Sequence, residues 1–338
     1  MSLLFSFIVP VYNRPDEIRE LLDSLLRQTY VSSYEIVIVE DGSAHSAEAV
    51  VEEFKDRLSI SYYKKPNSGP GDSRNYGMLR AKGNYYIVLD SDCMLPPQYL
   101  TEVEKSLLEN FVHCYGGPDA AHASFSNVQK AINYAMTSVL TTGGIRGNNM
   151  AVGKFQPRSF NMGISKKAFE DVQGYGNIHP GEDPDLSIRL WNKGYETKLI
   201  PEAFVYHKRR IDLTKFFVQV NKFGMVRPIL NKWHPETAKI TYWFPTLFCL
   251  GLAISIIGLF FNIHIPTLIY LIYFGFIFFN SLLKNKNGYV ALLSIMATSI
   301  QFAGYGYGFL KSTFWLNFSR RKPEELFPKL FFRTNIEK

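Results

Sequence analysis

Cysteine is nearly missing from this chain. Cys93, Cys114 and Cys249 are all it has, an odd number with no metal-type spacing. That argues against a disulfide framework and fits a reducing compartment. A basic start and a small-residue cleavage site are lacking in the apolar "MSLLFSFIVPVYNR", so a first strand is expected there and a cleaved signal peptide is not. No internal repeat or low-complexity tract interrupts the 338 residues. The length allows one large domain, or one domain with an appendage.

Acidic residues are scarce in only one part. Residues 1–206 carry 20 Lys+Arg against 25 Asp+Glu, a net of −5, whereas residues 207–338 carry 17 against 5, a net of +12. The basic part alternates with long uncharged apolar runs. An anionic membrane surface is therefore the expected partner, and nucleic acid is not. With 46% hydrophobic residues the chain can bury a sizeable core.

Four runs read as strands: Phe5–Val11, Glu35–Val39, Ile60–Tyr63 and Tyr85–Leu89. Between them lie segments with helical spacing. In "RPDEIRELLDSLLRQTY" Pro15 opens a helix whose apolar face is Ile18, Leu21, Leu22, Leu25 and Leu26. Strands alternating with such helices predict βαβ units, a mostly parallel sheet covered on both faces, and ligands beyond the strands' carboxyl ends. Asp41 and the pair Asp90/Asp92 fall at such ends. Further on, "TTGGIRGNNM" reads as a loop, "DPDLSIRLWNKG" as a helix and "TKLIP" as a short strand.

From Trp243 the character changes. Apolar segments near 243–262, 264–283 and 289–310 are each long enough to cross a bilayer. The positive-inside rule places residues 1–242 and the Lys284/Lys286 loop in the cytoplasm. If the third segment spans, the basic C-terminus lies outside, against that rule. A re-entrant hairpin bending at Gly304–Gly308 is the alternative. A full span is the reading adopted, because a single helix satisfies its own backbone.

Asp90 and Asp92, flanking one small residue, make either a solvated turn or a site for a divalent cation held by carboxylates plus diphosphate oxygens. "NSGPGDSRNYGMLRAKG" supplies a Gly-rich loop running into a helix, with Arg74 in its first turn, a setting that favours phosphate. Asp41 in "IVEDGS" is a cap or a nucleotide contact. Asp183, before Pro184, is an N-cap or a general base. His207 is structural, or a metal or phosphate contact.

Taken together, "FIVPVYNR", "IVEDGS", "GPGDSRNYG…AKGNYYIVLDSDC", "NMGISKKAFEDVQGY", "GEDPDLSIRL…KGYE" and "VYH" resemble the family 2 glycosyltransferases, inverting enzymes of the GT-A fold that use nucleotide-diphospho-sugars. The resemblance covers about residues 4–230. It implies an α/β, Rossmann-like catalytic domain at 1–230 and a membrane-anchoring region at 231–338. It implies that Pro10, Tyr12 and Asp41 hold the base and ribose, and that Arg74 lies near base and phosphates. Asp90 and Asp92 would form the DxD motif that binds Mg²⁺ or Mn²⁺, with Asp92 a direct ligand and His207 an additional metal or diphosphate contact. Asp183 would be the catalytic base, with Glu182 beside it. The Q-x-x-R-W element of processive synthases is lacking, since the nearest stretch is "QVNKFGMVR". The expected enzyme is thus non-processive, sits in a bacterial cytoplasmic membrane with its catalytic domain inside, and acts on a lipid-linked or saccharide acceptor. A sugar nucleotidyltransferase and a catalytically silent assembly protein are the alternatives. The former usually has a longer basic Gly-rich N-terminal loop than "PVYNRP" provides.

Overall fold

The computed structural model describes residues 3–120, 125–142, 154–207 and 212–332, and of His207 the backbone alone. The chain divides into two compact units. The first is drawn from Met1–His122, Val152–Lys208 and Phe331–Lys338, the second from Ala123–Ala151 and Arg209–Leu330.

The first unit opens with β1 (Phe5–Val11), α1 (Pro15–Leu26), β2 (Glu35–Asp41), α2 (Glu48–Glu52), β3 (Ile60–Lys65), α3 (Pro70–Met78) and β4 (Tyr85–Leu89). After β5 (Cys93–Met94) come α4 (Tyr99–Glu109), β6 (Cys114–Gly116) and β7 (Asp119–Ala120). The second unit's first helices, α5 (Asn127–Thr137) and α6 (Val139–Thr142), intervene before β8 (Asn161–Ser165), α7 (Lys166–Val172), α8 (Glu182–Asn192), β9 (Thr197–Leu199) and β10 (Val205–His207).

Seven strands form the main sheet in the order β3-β2-β1-β4-β8-β6-β9. The first four are parallel, as the strand–helix alternation predicts. β8 runs antiparallel to both β4 and β6, so the sheet is mixed at its far end. Alternate residues of each parallel strand feed two cores. Phe5, Phe7 and Val9 pack with α1, α2 and α4, while Ile8, Val37 and Val88 pack with α3, α7 and α8. In α1, Pro15 takes the first turn with Asp16 and Glu17. Ile18, Leu21, Leu22 and Leu25 are at most 1% exposed, each worth on the order of 1.5–3 kcal/mol of burial. Leu26, expected on that face, is 36% exposed because it falls past the edge of the stripe. On the opposite face, Gly77 lets α3 lie close to the sheet: a Cβ there would come within 2.8 Å of Ile8 Cγ2.

Cys93 and Cys114 are free and buried, and burial pushes both thiols up. They are packing residues with little thiolate character.

The second unit continues with α9 (Leu213–Trp233), α10 (Phe244–Leu259), α11 (Ile265–Asn285), α12 (Gly288–Phe318) and the short α13 (Pro323–Leu326). Its core joins α5, α9 and α12 through Ala131, Ile132, Phe216, Val220, Val290 and Ala297. Three stretches, Ile240–Leu259, Ile265–Asn285 and Gly288–Phe318, are long and apolar enough to cross a membrane. α10 and α11 expose Leu250, Ile254, Ile257, Leu268 and Ile272, an apolar surface of the kind lipid covers. α12 is one continuous helix, so no hairpin bends at Gly304–Gly308. Instead those glycines admit α9: a Cβ on Gly304 would meet Val220 Cγ2 at 2.6 Å, and one on Gly308 would meet the Asn221 carbonyl at 2.3 Å. Of the stretch expected to be a loop, Thr141 and Thr142 close α6, and residues 143–150 lie outside the described residues.

Candidate active site

β1 and β4 are neighbours in the sheet, with β2 and β3 on one side and β8 on the other. The order of the parallel strands reverses here, which is where such sheets open a crevice at their carboxyl ends. The β1–β4 ladder stops at Ile8, so Pro10 costs no hydrogen bond on that side. Tyr12, just past β1, is 52% exposed. Asn13 takes a left-handed φ of 56°. Its Oδ1 accepts from Ala44 N at 2.7 Å and His45 N at 2.9 Å, tying the β1 exit to the loop after β2.

Asp41 ends β2 and is 4% exposed. Its Oδ1 accepts from Lys65 Nζ at 2.6 Å and Ser68 N at 3.0 Å, and its Oδ2 from Gly69 N at 3.0 Å and Asn67 Nδ2 at 3.3 Å. The carboxylate thus fastens the loop that leads into α3. Gly69, the residue before that helix, has φ +93°, which a side chain rarely adopts. Arg74 is the fifth residue of α3, not in its first turn as the sequence implied, because the helix starts at Pro70.

Asp90-Ser91-Asp92 turns the chain from β4 into β5. Each aspartate meets a guanidinium: Arg74 Nη2 lies 2.8 Å from Asp90 Oδ1, and Arg14 Nη1 lies 3.3 Å from Asp92 Oδ2. Arg14 also holds Glu17 Oε2 at 2.9 Å. Arg74 is 3% exposed and reaches further, with Nη1 3.2 Å from Glu182 Oε1 and its Cζ 5.4 Å from the Tyr175 ring centre. Burial opposes its charge, but Asp90, Tyr175, Glu182 and Asp183 outweigh that and raise its pKa. One guanidinium therefore joins the β4 exit to the start of α8. Buried charges joined this way fix positions more than they add stability.

α8 begins at Glu182, two residues earlier than the proline suggested, after Gly181 at φ +125°. Asp183 is therefore the second helical residue and not the cap. Burial pushes its carboxyl up to about 6, and the charge of Glu182 adds to the effect, against Arg74, Arg158 and a backbone hydrogen bond from Ser159. Its Oδ1 is buried and has no hydrogen-bond partner. Burial acts on Glu182 in the same direction, but His179 and Arg74 prevail and pull it down to about 2. His179 Nδ1 lies 2.9 Å from Glu182 Oε1. Two adjacent carboxyls are thus driven apart, one firmly ionised and one poised near neutrality, as acid–base sites require.

The backbone of β10 places His207 opposite Cys93, the residue after Asp92. Its side chain lies outside what is described. Among the described residues no group of three or more His, Cys, Asp or Glu converges as a ready-made cage. The Asp90/Asp92 donor set nevertheless suits a hard cation that takes carboxylates on one side and phosphate oxygens on the other. Arg14 serves both Glu17 and Asp92, and Arg74 both Asp90 and Glu182. Arg14, Lys65 and His179 were not singled out from the sequence. His179 had a visible signal, three residues before Glu182. Lys65 faces Asp41 only through the β2–β3 register.

Residues 6–172 match the model described as Glycosyl transferase family 2. Over those residues the chain is similar to that family. An uncharacterized glycosyltransferase of Rickettsia bellii is 30% identical over 215 residues, 61% of this chain and 30% of that protein. The poly(ribitol-phosphate) beta-N-acetylglucosaminyltransferase TarS of Staphylococcus aureus is 36% identical over 91 residues, 26% of this chain and 16% of that protein. The chain thus spans less than a third of these relatives' length. A mannosyltransferase of Pyrobaculum calidifontis, solved with GDP-Man and Mn²⁺, superimposes with a TM-score of 0.63 at 14% identity, covering 91% of this chain and 88% of that one. The fold is GT-A.

Proposed function

We propose that this protein is a membrane-anchored, inverting and non-processive glycosyltransferase. It moves a sugar from a nucleotide-diphospho-sugar to an acceptor hydroxyl, with a lipid-linked saccharide of surface-glycan synthesis as the acceptor. The observation that carries this reading is Asp183: a carboxylate poised near neutrality, with one buried and unpartnered oxygen, tied through Arg74 to the Asp90–Asp92 turn.

The donor lies along the carboxyl edge of the sheet. Pro10 and Tyr12 flank the base and ribose, and Asp41 presents the 66–69 loop toward them. Asp92 and Asp90, with His207, would hold Mg²⁺ or Mn²⁺, which when bound would supply Lewis-acid stabilisation of the leaving diphosphate. Arg74 keeps Asp90 in register with α8. Asp183 takes the proton from the acceptor hydroxyl, whose oxygen attacks the anomeric carbon on the face opposite the diphosphate. The C–O bond to the donor phosphate breaks as the new glycosidic bond forms, so the configuration inverts. Glu182 stays ionised, orients His179 and helps keep the pKa of Asp183 high enough for a base. General-base assistance of this kind is worth about 10²–10⁴-fold. The first unit carries the catalytic residues, and the anchor lies in the second, which takes in α5, α6 and α9 as well as the apolar helices, so the boundary expected at residue 230 moves to about 208 and the chain's last described residues return to the catalytic unit. The exposed apolar faces of α10 and α11 hold the enzyme at a bacterial cytoplasmic membrane, in the plane where a lipid-linked acceptor diffuses.

A panel of nucleotide-sugars with Mg²⁺ or Mn²⁺, read as release of nucleoside diphosphate, tests the proposal. Release of pyrophosphate instead would identify a nucleotidyltransferase, and donor binding without turnover on any acceptor would identify an assembly protein.

A further inference from the structure

The last described residues belong to the first unit, although the chain reaches them only after three apolar helices. Phe331 forms an antiparallel bridge with Ile178, and Phe332 N donates to the Asn177 carbonyl at 3.1 Å. The Phe332 ring lies against Gly69, so closely that a Cβ there would come within 2.3 Å of it. The same ring is 5.9 Å from that of His179. Phe332 thus bridges two loops, the one Asp41 fastens ahead of α3 and the one that delivers Glu182 and Asp183 to α8.

For that to hold, the chain between the two parts of the first unit must cross a bilayer an even number of times. Within the second unit, α12 tells which crossings are made. α10 and α11 are joined by a short connection, residues 260–264, so the start of α10 and the end of α11 lie at one end of the pair. α12 meets both there. Thr246 Oγ1, in the first turn of α10, donates to the Gly306 carbonyl at 3.0 Å, and the Ser281 hydroxyl, in the last turns of α11, lies 2.7 Å from that of Ser294. Ser294 to Gly306 is about 18 Å of helix, which α12 spends passing from one base of the hairpin to the other. Its middle also packs on the middle of α9, where Asn221 Nδ2 donates to the Gly304 carbonyl at 3.0 Å. α9 carries Lys215, Lys222, Arg227 and Lys232. Each would cost about 2.5–3.5 kcal/mol at a bilayer centre on insertion scales, which keeps α9 and the helix beside it out of the hydrocarbon. Burial agrees: 44% of α12's apolar window is buried, against 11% for α10 and for α11.

We infer that the chain crosses the membrane twice, through α10 and α11, that α12 lies along the membrane surface beside α9, and that the tail so returned makes Phe332 a positioning residue of the active site. The kinetic part rests on the glycosyl-transfer reading, and the topological part does not. In cells and inverted vesicles carrying the full chain, single cysteines placed by Val31→Cys, Asn262→Cys and Arg321→Cys are probed with a membrane-impermeant maleimide. The cysteines at 31 and 321 label from one side and the cysteine at 262 from the other. Labelling of 321 from the side of 262 overturns the two-crossing topology whether or not a donor is known. With a working donor, Phe332→Ala lowers kcat about tenfold and leaves donor KM within twofold, and Phe332→Leu recovers most of the loss. Unchanged kcat in Phe332→Ala, or equal losses in Ala and Leu, refutes the positioning role. A wild type without turnover refutes the glycosyl-transfer reading instead and leaves the labelling result standing.

Discussion

Replacing Asp183 with asparagine should separate chemistry from stability, because the same charge acts on the two in opposite directions. Its carboxyl ordinarily titrates near 3.8 and in the fold is raised to about 6, chiefly by burial and then by Glu182. Below pH 3.8 the group is neutral in folded and unfolded chains and contributes nothing. Between the two values the unfolded chain ionises first, and above pH 6 the folded state carries the full cost of the buried charge. Two units at about 1.4 kcal/mol each give about 3 kcal/mol as a ceiling. Asparagine keeps the shape and cannot ionise. Asp183→Asn should therefore gain up to that much over wild type between pH 4 and pH 7, read as the change in the difference of thermal midpoints in detergent. The comparison of two pH values cancels any constant penalty for burying an amide. Donor binding should persist while transfer falls about 10²–10⁴-fold. An identical pH dependence of the midpoints in both proteins would show that Asp183 is not held up in the fold, and retained transfer would remove it as the base.

In the wild type, kcat/KM should fall tenfold per unit as pH drops below about 6, because protonation disables Asp183; Glu182→Gln should move that limb to lower pH by removing the charge beside it. Asp92→Ala should lose metal-stimulated donor binding in calorimetry, and chelator should abolish turnover in the wild type; turnover untouched by chelator would refute the cation's role. Arg74→Met leaves Asp90 and Glu182 without their shared partner, a loss of about 3–5 kcal/mol for a broken buried pair, read as a lower midpoint that recovers partly at acid pH. Gly77→Ala should lower the midpoint with donor affinity unchanged in any protein that remains folded, since the added methyl meets the sheet at Ile8 and Val39 and touches no site residue.

Local pattern carried the strands at Phe5–Val11 and Tyr85–Leu89, the amphipathic α1 and the three apolar helices, because period, proline position and hydropathy act over a few residues. It carried less well the ends of α3 and α8. At α8 a proline after an acid has two readings, and each of the two helices starts directly after a glycine at positive φ. The mixed edge of the sheet was illegible, since whether β8 runs with β4 or against it depends on where the chain returns from and not on the residues of the strand.

The sequence by itself determined which chemistry is available: carboxylates at strand ends, an arginine in a Gly-rich helix start, an acidic pair before a helix, and a tail too apolar for water. These follow from residue type and short spacing. Only the tertiary structure decided how those groups share charge. Arg74 joins Asp90 to Glu182, which lies 108 residues from the arginine along the chain, burial separates two neighbouring carboxyls in pKa, and Phe332 lies against Gly69 and His179. Long-range pairs of this kind arise from burial and strand order, which no local stretch encodes.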